Sequence, residues 1–212
     1  MSNNLNFQLK MDKKLEEIEA SGNVPKLLLH SCCAPCSSYV LEYLSEYFMI
    51  TIFYFNPNIS EQSEYTKRVE EQKRLIEELP TKNPIAFMEG RYDVHLFEQA
   101  IAGKETLGER SERCYACYRL RLEEACVIAK EHQFDYFTTT LSISPYKNAL
   151  WLNEIGELLQ NQYDMPYLYA DFKKRNGYKR SIELSEQYHL YRQDFCGCKY
   201  SQAEEAARKG NV

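Results

Sequence analysis

Lys26-Leu27-Leu28-Leu29-His30-Ser31-Cys32-Cys33-Ala34-Pro35-Cys36-Ser37-Ser38 packs an apolar run, three cysteines and three serines into thirteen residues. The run 26–29 reads as a buried strand, Cys32 to Cys36 as a tight loop, and Ser37 or Ser38 as the N-cap of a helix over 37–47. Adjacent cysteines rarely bridge one another, because disulfide geometry does not suit neighbouring residues. Thiols at the mouth of a helix meet its partial positive charge, which favours thiolate and so suits a metal.

Outward from this stretch the pattern repeats. Residues 50–55 are almost wholly apolar or β-branched and end at Asn56-Pro57-Asn58, as a strand buried on both faces would. A charged helix capped by Ser60 follows to about Leu79, then a short strand over 85–88, a helix over 92–102 and a polar loop over 103–113. Strands and helices alternate, which predicts an α/β fold with a doubly wound, mostly parallel, Rossmann-like sheet. The expected division is a peripheral helical extension over 1–24, with a helix over 13–20, and a single α/β domain over 25–212. Ligands of such sheets bind beyond the carboxyl ends of the strands. Cys32 and Cys33 stand there after the first strand, and Asn56 and Asn58 after the second. The asparagines read equally as site residues and as a plain turn.

Composition narrows the class. The chain has 212 residues, 44% hydrophobic, only 8 glycines and a formal net charge of −5, which fits a folded domain and argues against indiscriminate nucleic-acid binding. The N-terminus carries no apolar signal region, and the apolar run 48–55 is far shorter than the roughly 20 residues that cross a bilayer. A cytoplasmic protein without membrane attachment is expected. In that reducing compartment eight cysteines suggest metal binding or redox catalysis and not stapling disulfides.

The cysteines fall into groups. Cys114-Tyr115-Ala116-Cys117 leads into a helix over 118–131, and a spacing of three places both sulfurs on one side of a helical turn, as metal ligands need. A thioredoxin-like redox pair would want a strand directly before it. Cys126 recurs with Tyr118, Leu122, Ala125 and Ala129 on one face and reads as core. A strand over 134–140 delivers Leu141-Ser142-Ile143-Ser144-Pro145-Tyr146-Lys147-Asn148 to the same sheet edge, where Lys147 would suit a phosphate. A helix over 149–159 follows. The run 173–180 carries five positive charges, with Lys173, Lys174, Lys179 and Arg180 as candidate phosphate contacts. After a helix over 181–188, Cys196-Gly197-Cys198 precedes a closing helix over 201–209. That spacing reads either as an easily reduced pair or as two metal ligands around a glycine turn. Cys32, Cys33, Cys114 and Cys117 supply four thiolates, enough for one iron–sulfur cluster or one zinc.

Together, His30-Ser31-Cys32-Cys33-Ala34-Pro35-Cys36, Cys114-Tyr115-Ala116-Cys117-Tyr118-Arg119, residues 139–148 and Asp194-Phe195-Cys196-Gly197-Cys198 resemble the QueH family of epoxyqueuosine reductases, over about 26–201. The resemblance implies reduction of epoxyqueuosine to queuosine at the wobble position of tRNA, with electrons from an external donor. It implies a 4Fe-4S cluster on Cys32, Cys33, Cys114 and Cys117, and a redox-active pair at Cys196 and Cys198. It also implies an additional iron beside the cluster, which would recruit Cys36, Cys196 or Cys198 and polarise the epoxide oxygen. His30, Tyr115, Tyr118 and Asp194 are the neighbouring candidates for proton donor. Two other readings compete. One is a zinc-stabilised tRNA-binding protein without turnover. The other is a nucleotide-dependent enzyme similar to the pyrophosphatase-loop type, but the first loop holds cysteines where a glycine-rich phosphate cradle would be.

Overall fold

The computed structural model describes residues 6–210; the first five residues of the expected extension and the last two of the chain lie outside it. Strands β1 (Lys26–His30), β2 (Met49–Tyr54), β3 (Ile85–Glu89) and β4 (Tyr136–Thr139) form one sheet in the order β3-β2-β1-β4. Every pairing is parallel. Parallel neighbours need crossovers, and helices supply them. α1 (Phe7–Ser21) precedes the sheet, α2 (Ala34–Leu44) and α3 (Gln62–Glu78) join β1 to β2 to β3, and α4 (Val94–Ala100) with α5 (Glu112–Glu131) joins β3 to β4. α6 (Ala149–Tyr163), α7 (Gly177–Gln187) and α8 (Lys199–Gly210) complete the chain. The expected doubly wound layout is the one observed.

Strand β1 explains why both faces are covered. Leu27 and Leu29 enter one core with Met11, Leu15 and Ile18 of α1 and Val40, Leu41 and Leu44 of α2. Leu28 points the other way, into a core with Leu122 and Ala125 of α5 and Leu152 and Ile155 of α6. Side chains alternate along a strand, so three consecutive leucines serve two cores only if the strand is central. The chain builds outward from β1 to β3, then returns to place β4 on β1's other side. The connections leave in opposite directions at that point and open a crevice beyond the carboxyl ends of β1 and β4.

Element ends depart from expectation where they bear on the crevice. α2 begins at Ala34, with Cys33 as an extended N-cap whose side chain makes no capping bond. Ser37 and Ser38 are not caps; their hydroxyls donate back to the carbonyls of Ala34 and Pro35. Pro35 in the first turn explains the early start, since its ring is preset for helix and needs no N–H partner. Cys36 therefore sits within the first turn of the helix. Glu61, not Ser60, stands at the N-cap of α3. Ser60 accepts instead from the N–H of Lys199, while its own N–H donates to the carbonyl of Gly197. α5 starts at Glu112, where the Ser111 hydroxyl accepts from Arg113 N–H, so Cys114 and Cys117 lie inside the helix.

Candidate active site

Three thiols converge first. The sulfurs of Cys32, Cys33 and Cys36 lie within 4.8 Å of one another, with Cys32 and Cys33 Sγ 3.7 Å apart. Hydrogen bonds from Cys33 and Cys36 hold Cys32 well below the usual thiol range, against its burial. The same bonding to Cys32, with burial, pushes Cys33 up to about 12 and Cys36 up as well. Anionic character is thus favoured on Cys32 and opposed on its two neighbours. Cys36, outside the expected ligand set, belongs to this group.

Two asparagines pin the loop that presents them. Asn56, buried after β2, donates from Nδ2 to the Ser31 carbonyl at 2.8 Å and accepts at Oδ1 from Arg121 Nη2 at 2.6 Å. Asn58 donates to the Cys196 carbonyl at 3.4 Å. The Asn56-Pro57-Asn58 turn is therefore a junction between the first loop and the Cys196–Cys198 loop. Ser31 and Ser37 both donate to Gln72 Oε1, tying the loop and α2 to α3.

Arg121 is the residue that sequence reading passed over. It is 1% exposed and meets His30 Nε2 at 3.3 Å and Cys117 Sγ at 3.9 Å, in addition to Asn56. No carboxylate pairs with it among the described residues. The signal was present, because Cys114, Cys117 and Arg121 recur at helical spacing on α5. His30, also fully buried, has Nδ1 2.8 Å from Thr139 Oγ1. Burial and the Arg121 charge lower its pKa to about 3. Its Nε2 also lies 3.1 Å from the Phe55 carbonyl, so both ring nitrogens are engaged.

Cys196 completes the arrangement. Lys147 Nζ donates to its sulfur at 2.9 Å. Burial opposes ionisation, but the charges of Lys147 and Arg121 and this hydrogen bond hold the thiol below its usual range. Arg68, 2% exposed and paired with Glu64, donates to the Cys196 carbonyl at 3.4 Å. A cavity of about 400 Å³ is lined by Cys32, Cys36, Cys196, Arg68, Arg121 and Lys147. Cys114, Cys117 and Cys198 line a smaller hollow that shares Cys196 and Lys147 with it. Cys198 packs against Cys117, Phe97 and Ile101. On α5, Arg113 grips Glu204 of α8 at 2.8 Å and lies 4.8 Å over the Tyr200 ring, which fastens the Cys196–Cys198 loop beside α5.

The basic run does not act as a block. Lys173 is bound to Asp171 and to the Ser142 carbonyl, and Arg180 to Glu42 and Glu183. Lys179 is exposed with Glu183 4.0 Å away, and Lys174 is exposed without a carboxylate partner among the described residues. Of the remaining candidate acids, Asp194 is exposed, paired with Lys209 and held below its usual range by that bond. Burial pushes the Tyr118 phenol up, and Tyr115 packs edge-on against Trp151.

The donor set fits a soft metal centre. All eight cysteines are free, three sulfurs converge, and two cations without carboxylate partners among the described residues, buried Arg121 and half-buried Lys147, stand ready to balance anionic sulfur. No helix among the described residues is long and apolar enough to cross a membrane.

Comparison with known proteins agrees with this chemistry. The family model described as "Epoxyqueuosine reductase QueH" matches residues 27–204. A protein of that name from Staphylococcus epidermidis is 41% identical over 202 residues, covering 93% of this chain and 84% of its own. Its namesakes from Streptococcus pyogenes, at 38% identity over 93% of this chain and 78% of theirs, and from Acinetobacter baylyi, at 37% over 90% and 87%, are similar to the same extent. The chain belongs to the QueH family of epoxyqueuosine reductases.

Proposed function

We propose that this protein reduces epoxyqueuosine to queuosine at the wobble position of tRNA. The observation that carries the proposal is one cavity in which Cys32, Cys36 and Cys196 meet the buried cations Arg68 and Arg121 and the half-buried Lys147. Cys32, Cys33, Cys114 and Cys117 would hold a 4Fe-4S cluster, and Cys36 would serve an additional iron beside it. When bound, such a group supplies one-electron transfer and a Lewis acid for the epoxide oxygen.

The chain's own residues do the rest. Removing the epoxide oxygen as water consumes two electrons and two protons, drawn ultimately from an external reductant. Oxidation of the Cys196 and Cys198 thiols to a disulfide releases that same pair of electrons and protons. Lys147 holds a proton on Nζ beside the Cys196 sulfur, so its contact supports a role at the reacting centre in preference to a phosphate. Gly197 at φ 111° lets the two cysteines turn tightly. The cavity size suits one nucleoside, so the target base enters while the rest of the anticodon loop stays outside. Exposed Lys174 and Lys179 would meet its phosphates, with Lys173 and Arg180 held by their acidic partners.

The test is iron, zinc and acid-labile sulfide content on protein purified without oxygen, together with turnover of epoxyqueuosine-containing tRNA by a chemical reductant. About four irons per chain with queuosine formation is the expected result, and a further iron would accord with the added site. Zinc alone, with tRNA bound but unchanged, would replace the reductase by the zinc-stabilised binding protein.

A further inference from the structure

Adjacent residues at the cavity mouth face in opposite directions. Lys147 reaches inward to Cys196, while Tyr146, on the rim of the same cavity, leaves 58% of its surface exposed. Exposed tyrosines are ordinary, but this one is held in place. The N–H of Tyr146 donates to Ser144 Oγ, the N–H of Lys147 donates to the Ser144 carbonyl, and Asn148 caps α6 through Leu150 and Trp151 N–H. The Arg110 guanidinium lies 5.5 Å from the Tyr146 ring centroid. Arg110 has a φ of 63°, is exposed and has no carboxylate partner among the described residues. Farther round the rim stands Arg192, likewise exposed and, among the described residues, bonded to the Ser185 hydroxyl alone.

We infer that Tyr146 and Arg110 form a stacking clamp for an unpaired RNA base next to the one that enters the cavity. This rests on the tRNA reading above. Extruding one base leaves its neighbours unstacked at the mouth, and unpaired bases stack on aromatic rings and guanidinium planes. A free phosphate-bearing small molecule would need the cations but not the exposed ring.

The experiment uses the metal-loaded protein and an anticodon stem-loop RNA with 2-aminopurine beside the target position, in wild type, Tyr146→Ala and Tyr146→Phe. Wild type and Tyr146→Phe should quench 2-aminopurine fluorescence on binding. Tyr146→Ala should abolish the quench and raise KM for epoxyqueuosine-tRNA about tenfold or more, with kcat nearly unchanged. Quench and KM unchanged in Tyr146→Ala, while the wild type turns over, would overturn the clamp alone. A fall in kcat at constant KM would make Tyr146 a cover for the cavity and overturn it too. Absence of turnover in the wild type would remove the reductase reading and the clamp with it.

Discussion

At the scale of single residues, polar side chains that carry no chemistry decide where the chemical ones point. Asn56 satisfies the Ser31 carbonyl and Arg121 at once, and Arg121 in turn touches His30 and Cys117. Removing Asn56 strands a buried guanidinium and a buried carbonyl, whereas Asn58 makes one long hydrogen bond to the Cys196 carbonyl. Asn56→Ala should therefore cost about 2–4 kcal/mol, because a bond to a charged partner is lost and that partner stays buried. Asn58→Ala should cost clearly less. Urea unfolding of both variants measures this, and equal losses would reduce the pair to a turn motif. The cysteine types were legible in the sequence. Arg121 was not singled out, because a basic residue in a charged helix looks like surface until its partners are known.

Among the elements, the short segment between Leu190 and α8 presents Cys196 and Cys198 to the two hollows. Gly197 turns it through a positive φ. A Cβ there would lie 2.9 Å from Ile59 Cγ1 and 3.3 Å from Arg68 Nη1, and φ 111° is disfavoured for any side chain. Gly197→Ala should cost about 1–3 kcal/mol and move the Cys196 carbonyl away from Arg68 and Asn58. The observable is a lower thermal midpoint together with a fall in kcat; unchanged activity would show that the turn tolerates a side chain. Helix and strand types over the sheet were readable because apolar runs and amphipathic spacing are local. The starts of α2 and α5 were not. Pro35 and Ser111 each open a helix within stretches that read as loops, which places Cys36, Cys114 and Cys117 inside helical turns.

For the whole molecule, charge is the governing quantity. The net charge is −5, and Lys173, Arg175 and Arg180 are tied to acidic partners. Among the described residues, Arg110 and Arg192 at the mouth and the exposed Lys174 and Lys179 of the basic run are cations open to RNA. If these carry the phosphates, the affinity for tRNA should fall with salt with a log–log slope of about −2 to −4. Fluorescence titration across a range of KCl concentrations tests this. A slope steeper than about −6 would mean that the ion-paired cations open to bind RNA. A shallow slope would mean that recognition rests more on base stacking and on the fit of one nucleoside than on a basic surface.

Taken by itself, the order of residues determined the alternation of strand and helix, the parallel sheet, the groups of cysteines and the family they resemble, since each is written in local pattern or spacing. The tertiary structure alone decided which groups share a cavity. β1, β4 and the long return to α8 bring Cys32, Lys147 and Cys196 around one hollow, although they are far apart along the chain. It also decided that Lys147 faces a sulfur, that His30 is buried against Arg121 and Thr139, and that most of the basic run is ion-paired. Those outcomes depend on burial and on partners from other elements, and no local window of sequence contains either.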